Sequence, residues 1–73
     1  MKIIKSKLIN PGDIFVVVES KNKYQIISKG MKGNNHICTY QKMKNDSELY
    51  PYIFECTEEH MKNLIRMEII EFI

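Results

Sequence analysis

One segment of the chain combines a helix-start signal with helical periodicity, and it lies in the C-terminal half. Residues 57–67 read TEEHMKNLIRM, so a threonine suited to the N-cap is followed by two glutamates in the first turn. Met61, Leu64 and Ile65 then recur at i, i+3 and i+4, which places them on one helical face. This segment predicts a helix, whereas the residues before it read as strands and turns.

Short apolar runs separated by turn signals precede the helix. Ile14 to Glu19 is β-branched and aromatic, and apolar on both faces until its last residue, which predicts a central strand. The turn NPGD comes before it, and the polar loop SKNK leads to a second strand at Tyr24 to Lys29. A third strand is predicted at His36 to Met43.

Four further segments complete this interpretation. Ile3 to Ile9 is a possible first strand, and the glycines and asparagines of Lys29 to Asn35 predict a turn or loop. Leu49 to Cys56 is extended, but Pro51 cannot donate to a ladder, so this strand belongs at an edge or a bulge. After the helix, EIIEFI leaves two alternatives open: a short strand, or one long helix that runs to Ile73.

These elements predict one small α+β domain over residues 1–73. We expect an antiparallel sheet of three to five strands, arranged as an SH3-like or half-open barrel, with one helix in the C-terminal half. Two cysteines are too few for a secreted disulfide framework, and the N-terminus lacks the apolar core of a signal peptide. No apolar run approaches the roughly 20 residues of a membrane-spanning helix. We therefore expect a cytoplasmic protein with reduced thiols and no membrane partner.

Two cysteines and two histidines raise the question of a metal site. His36 and Cys38 share one face of a strand, and Cys56 and His60 flank the helix start, so the four side chains could converge on zinc. The spacing H-x-C within a strand is unusual for structural zinc, and cysteines are among the residues most often buried. The favoured prediction is therefore no metal and no cofactor. The same thiols and imidazoles match no catalytic motif, which predicts a protein that is not an enzyme.

Lysines and aromatic residues suggest an alternative function in nucleic-acid binding. Lys21, Lys23, Lys29 and Lys32 lie in or beside the first two turns, and four tyrosines could offer stacking faces to a single strand. The net charge is only +2, and Arg66 is the only arginine. Binding of this kind would be weak, salt-sensitive and indifferent to sequence.

The last ten residues, Leu64 to Ile73, contain seven apolar residues. Wound as a helix or extended as a strand, they present apolar side chains on both sides, which a single small core cannot cover. A second copy of the chain is the simplest cover. The pattern predicts a homodimer that buries Met67, Ile70 and Phe72 between its subunits.

Three features together resemble the Yopt family of small prophage proteins: the chain length, the PGDIF turn into a strand, and the TEEHMKNL helix. The resemblance implies a homodimer whose subunits have one helix and three strands, and it implies no activity. The leading expectation is a non-enzymatic cytoplasmic protein-interaction module, encoded by a phage or prophage, that acts as a homodimer on an unidentified host protein.

Overall fold

The computed structural model of the protein describes residues 9–73. They form five strands and one helix in the order β1 (Ile14–Val17), β2 (Lys23–Lys32), β3 (Asn35–Met43), β4 (Leu49–Thr57), α1 (Glu58–Arg66) and β5 (Ile70–Phe72). This confirms the predicted α+β class with a single helix in the C-terminal half. The possible first strand lies outside the described residues, except for Ile9, which belongs to no strand.

The strands form one antiparallel sheet in the order β4-β3-β2-β1-β5. The first four strands run as a meander, and β5 returns after the helix to pair with β1, so that Phe15 lies opposite Phe72. No pairing joins β4 to β5 within residues 9–73, so the sheet is open. It has five strands, where the family resemblance implied three.

The turn or loop predicted for Lys29 to Asn35 is a turn, and it is shorter than predicted. Strand β2 continues to Lys32 and β3 begins at Asn35, so only Gly33 and Asn34 connect them. Gly33 has φ +64° while Asn34 keeps a negative φ, the pattern of a type II′ turn. The backbone twist of such a turn matches the right-handed twist of the two strands that it joins in a two-residue hairpin. The glycines and asparagines marked a turn correctly, but the turn needs only two of those seven residues.

A bulge in β2 explains why two consecutive isoleucines have different environments. The register to β3 shifts between Ile26 and Ser28, which leaves Ile27 as the extra residue. Ile26 is 1% exposed in the core, whereas Ile27 is 39% exposed. Strand β1 ends at Val17, two residues earlier than predicted, and Val18 is exposed. The hairpin is therefore less buried than its apolar sequence indicated.

Strand β4 is an edge of the sheet, as the proline predicted. Its pairing with β3 shifts between Gln41 and Met43, so the proline lies at an irregularity as well as at an edge. The Gln41 side-chain amide donates to the Tyr50 carbonyl at 2.8 Å across this irregularity. The position avoids a ladder hydrogen bond that Pro51 could not donate.

Both ends of α1 carry recognisable capping geometry. The Thr57 hydroxyl oxygen accepts from the His60 backbone N–H at 3.0 Å, which confirms the predicted N-cap. At the other end Glu68 has φ +60°, its N–H donates to the Ile65 carbonyl, and the Ile69 N–H donates to the Leu64 carbonyl. This is a Schellman motif. The helix therefore stops and a strand follows, so the alternative of one long helix is wrong.

The core lies between α1 and the sheet. It consists of Ile9, Phe15, Ile26, Cys38, Met61 and Ile70, with Tyr24, Tyr40, Leu64, Ile65 and Phe72 packed against it. Strands β1, β2, β3 and β5 each contribute one buried side chain to it, and Met61 from the helix is 1% exposed. The helix contacts β3, β4 and β5, so it covers one part of the sheet face and leaves the remainder open.

The bulge leads to a prediction about two neighbouring residues. Ile26→Val should lower the free energy of unfolding by about 1 kcal/mol, because it removes a methylene from a close-packed site. Ile27→Val is the matched control and should change it by less than about 0.5 kcal/mol. Urea unfolding followed by circular dichroism measures both values. Equal losses in the two variants would place the bulge at the wrong residue.

A second prediction concerns the end of the helix. Glu68→Gly should raise the free energy of unfolding by about 0.5–1 kcal/mol, because glycine adopts positive φ without the steric cost that a Cβ brings. Glu68→Ala, which keeps the Cβ and removes the carboxylate, separates this backbone effect from the loss of charge. If the alanine variant gains as much as the glycine variant, the left-handed conformation is not the cause.

Candidate interaction surface

Aromatic side chains line the helix-facing side of the sheet. Phe15 stacks on Tyr24 with ring centroids 5.3 Å apart, and Tyr40 stacks on Phe54 at 5.5 Å. Phe72 joins them from β5, 5.4 Å from Phe15. Each of the five rings comes from a different strand, so the cluster extends across the whole sheet. Offset and edge-to-face ring pairs of this kind add stability beyond the area they bury.

The helix leaves a groove over this aromatic cluster. The groove encloses about 190 Å³ and is lined by Phe15, Val17, Tyr24, Tyr40, Phe54, Met61, Leu64, Ile69 and Ile70. Burial raises the pKa of the Tyr40 hydroxyl, with smaller contributions from Cys56 and Tyr24, so this group stays neutral at physiological pH. The lining contains no carboxylate, imidazole or amine. Such a surface suits apolar contacts and lacks the groups for acid–base chemistry.

Strand β4 exposes large apolar side chains on the open edge of the sheet. Tyr52 is 70% exposed and Ile53 is 67% exposed, while Phe54 extends the aromatic cluster to this edge at 42%. Within the described residues no strand pairs with the outer side of β4. The irregularity around Pro51 disturbs the first part of the strand, whereas the pairing with β3 is regular from Ile53 to Thr57.

The structure places the three predicted dimer residues differently from one another. Ile70 is 3% exposed in the core of a single subunit, and Phe72 is half-buried against Phe15, whereas Met67 is 64% exposed. The assignment of Ile70 to a subunit interface is wrong, because β5 pairs with β1 and turns this side chain inward. For Ile70, the cover that the sequence pattern predicted from a second copy comes from the subunit's own sheet. Ile69 and Ile73 remain exposed beside Met67.

The four predicted nucleic-acid contacts do not form one patch. Lys21 precedes β2 and Lys23 begins it, whereas Lys29 and Lys32 lie towards the end of this ten-residue strand. The distance from one end to the other is roughly 30 Å. Lys29 is 3.7 Å from Glu58, and Lys32 is 3.4 Å from Glu55. Two of the four charges are therefore balanced by carboxylates.

The excess of basic over acidic residues comes from residues 1–8, which lie outside the described part of the chain. Residues 1–8 contain three lysines and no acidic residue, so residues 9–73 hold eight basic and nine acidic side chains. A local exception is the pair Lys42 and Lys44, whose amines lie 5.5 and 5.8 Å from the Tyr50 ring centroid. These cation–π contacts occupy the tyrosine that would otherwise offer a stacking face.

The four candidate metal ligands do not assemble. Cys38 and Cys56 lie opposite each other on β3 and β4, but His36 and His60 are exposed. Across residues 9–73, no three side chains of histidine, cysteine, aspartate or glutamate are grouped to hold a metal ion. The His60 backbone N–H donates to the Thr57 hydroxyl oxygen at the helix N-cap.

Both thiols are held in their neutral form. Burial raises the pKa of Cys56 to about 11, and the neighbouring Cys38 adds to the shift. Burial also raises the pKa of Cys38, followed by repulsion from Glu58, while Lys29 and Lys62 act in the opposite direction. Thiolates, not thiols, act as nucleophiles and metal ligands. The pair is therefore poorly suited to either role at neutral pH.

No family model, curated protein or solved structure matches the chain. None of the helices in residues 9–73 is long and apolar enough to cross a membrane. The function is accordingly inferred from the surface chemistry of the domain.

The raised pKa of Cys56 predicts that the free energy of unfolding depends on pH. The folded pKa of Cys56 lies above its ordinary value of 9.0, so its contribution to stability is complete below pH 9 and is lost as the pH rises towards 11. The free energy of unfolding should fall across this window, and the fall should be smaller in Cys56→Ala, which has no thiol to ionise at this position. Urea unfolding at intervals of pH measures both slopes. A fall of the same size in the variant would exclude Cys56 as a cause.

Proposed function

We propose that the protein is a non-enzymatic, cytoplasmic interaction module, encoded by a phage or prophage, that forms a homodimer and binds a host protein. The surface proposed to act is the open edge of β4. The observation that carries the proposal is the exposure of Tyr52 and Ile53 on an edge strand that has no partner within residues 9–73.

An edge strand offers two kinds of contact at once. Its outward backbone N–H and C=O groups are unpaired and accept another strand, and its exposed side chains provide the apolar area for docking. Proteins commonly protect such edges with lysine. Strand β4 has no lysine, and its only charged residue, Glu55, is paired with Lys32 of the same chain. Pro51 protects the first part of the strand, which leaves the second part open to pairing.

A second copy of the chain is a suitable first occupant of this edge. Ile53 is the middle residue of the nine-residue strand. An antiparallel pairing about a two-fold axis at Ile53 sets Tyr52 opposite Phe54 of the copy, and places Pro51 at the end of the paired segment. Cross-strand pairs of aromatic residues stabilise a sheet, and two-fold association is the commonest oligomeric arrangement. The aromatic groove beside Phe54 then lies next to the dimer contact, where it is available to a host protein.

The two alternative functions have less support. For nucleic-acid binding, the described residues carry a slight acidic excess, and two of the four proposed lysines are paired with carboxylates. For catalysis, the raised pKa values of Cys38 and Cys56 disfavour the thiolate that a nucleophile needs. Docking through apolar side chains and backbone hydrogen bonds requires neither a basic patch nor an activated group.

The mass in solution tests the proposal. Light scattering coupled to size exclusion should give a dimer mass for the wild-type chain at micromolar concentration, and a monomer mass for Ile53→Lys, because the lysine puts an unpaired charge at the centre of the contact. Ile73→Lys is the matched control, since Ile73 is 66% exposed and Ile53 is 67% exposed. It should remain a dimer.

Circular dichroism tests whether both lysine variants stay folded, as we expect. A monomer mass for the wild-type chain contradicts the homodimer, and loss of the dimer in Ile73→Lys alone moves the contact to the C-terminal end of the chain. If the wild-type chain shifts a labelled single strand at low salt and Ile53→Lys does so equally, nucleic-acid binding replaces the proposal.

A further inference from the structure

The two cysteines of the chain face each other across a strand pair. Cys38 of β3 and Cys56 of β4 are direct Cα partners in the antiparallel register. Opposed residues in such a pair have Cα atoms about 4.5–5.5 Å apart and side chains on the same face. A disulfide requires Cα atoms about 4.4–6.8 Å apart. The backbone therefore already holds both residues within the range in which a sulfur–sulfur bond forms, without any change of fold.

We propose that Cys38 and Cys56 form an oxidative modification site, at which a low-molecular-weight disulfide of the glutathione type converts the two thiols into an intrachain cross-strand disulfide. Both thiols are free in the structure. The inference does not rest on the proposed function, because it depends only on the register of β3 with β4.

The chemistry proceeds by two thiol–disulfide exchanges. Cys56 is half-buried and Cys38 is 0% exposed, so the outer thiol reacts first. Its thiolate attacks one sulfur of the glutathione disulfide, which gives a mixed disulfide on Cys56 and releases one glutathione thiolate. The Cys38 thiolate then attacks the Cys56 sulfur, forms the cross-strand bond and expels the second glutathione. Two protein thiols are oxidised, one glutathione disulfide is reduced to two thiols, and the two protons pass to the leaving thiolates.

The environment of the two thiols determines the rate of this reaction, and their position determines its effect on the fold. Both thiols are kept protonated by burial, so exchange is slow at neutral pH and faster in alkaline solution. Burial and Glu58 both disfavour the thiolate of Cys38, which is the attacking group in the second step, and the amines of Lys29 and Lys62 offset these effects only in part. The bond would tie β3 to β4 immediately before the N-cap at Thr57, and would close the chain segment that carries the Asn45–Glu48 turn and the whole exposed part of β4. Cross-linking of a segment of this size constrains the unfolded chain.

The test is oxidation of the folded, full-length chain with glutathione disulfide in mildly alkaline buffer, followed by intact mass measurement. The wild-type chain should lose two hydrogen atoms, retain no glutathione and show no alkylatable thiol after denaturation. Its melting temperature should rise by about 10 °C relative to the reduced chain. A chain that keeps two thiols, carries a stable glutathione adduct or forms a covalent dimer overturns the proposal.

Two variants separate the steps of the reaction. Cys38→Ala should stop at the mixed disulfide and gain one glutathione, because it lacks the resolving thiol. Cys56→Ala should remain largely unmodified over the same time, because the thiol that it keeps is fully buried. Rapid modification of Cys56→Ala would show that Cys38 is the first thiol to react, which contradicts the proposed order. The wild-type measurement decides the proposal even if either variant is unstable.

Discussion

The pairing of β5 with β1 is the contact on which the rest of the fold depends. It brings the end of the chain back to the strand near its beginning and so holds α1 against the sheet. It also turns Ile70 into the core and sets Phe72 against Phe15. The contact depends on an abrupt end to the helix, which Glu68 provides in a left-handed conformation that is unfavourable for a residue with a side chain. The chain accepts local strain at one residue because the strand that follows fills the core.

Much of this architecture could be predicted from local sequence, because its causes are local. The threonine cap and the helical spacing defined α1, and Pro51 marked an edge strand, since each effect acts within a few residues. Long-range pairing was not accessible in the same way. The burial of Ile70 requires β1 as a partner more than fifty residues away in the chain, and no pattern within residues 64–73 specifies that partner. The same limit hid the length of the β2–β3 hairpin, where pairing extends the strands through residues whose composition suggests a loop.

The surface shows the same division between local and long-range causes. The tyrosines and lysines were visible in the sequence, but their roles depend on which strand lies beside which. Tyr24 and Tyr40 became part of the aromatic cluster beneath the groove, and Lys29 and Lys32 acquired carboxylate neighbours. Sequence reasoning did not single out Ile53, because one isoleucine in an apolar strand carries no mark of exposure. Its position follows from β4 being the last strand of the meander, with no neighbour beyond it among the described residues.

Strand β4 ends at Thr57 and α1 begins at Glu58, so the two elements meet without a linker. This junction fixes the phase between them. One additional residue at the joint would turn the helix by about 100° relative to the strand, and a shift of the strand by one residue would reverse its two faces. In either case Met61 would leave its place above Cys38 and Ile26. We therefore expect an insertion or deletion to disturb the core least when it falls in the turns elsewhere in the sheet, and most when it falls between the strand and the helix.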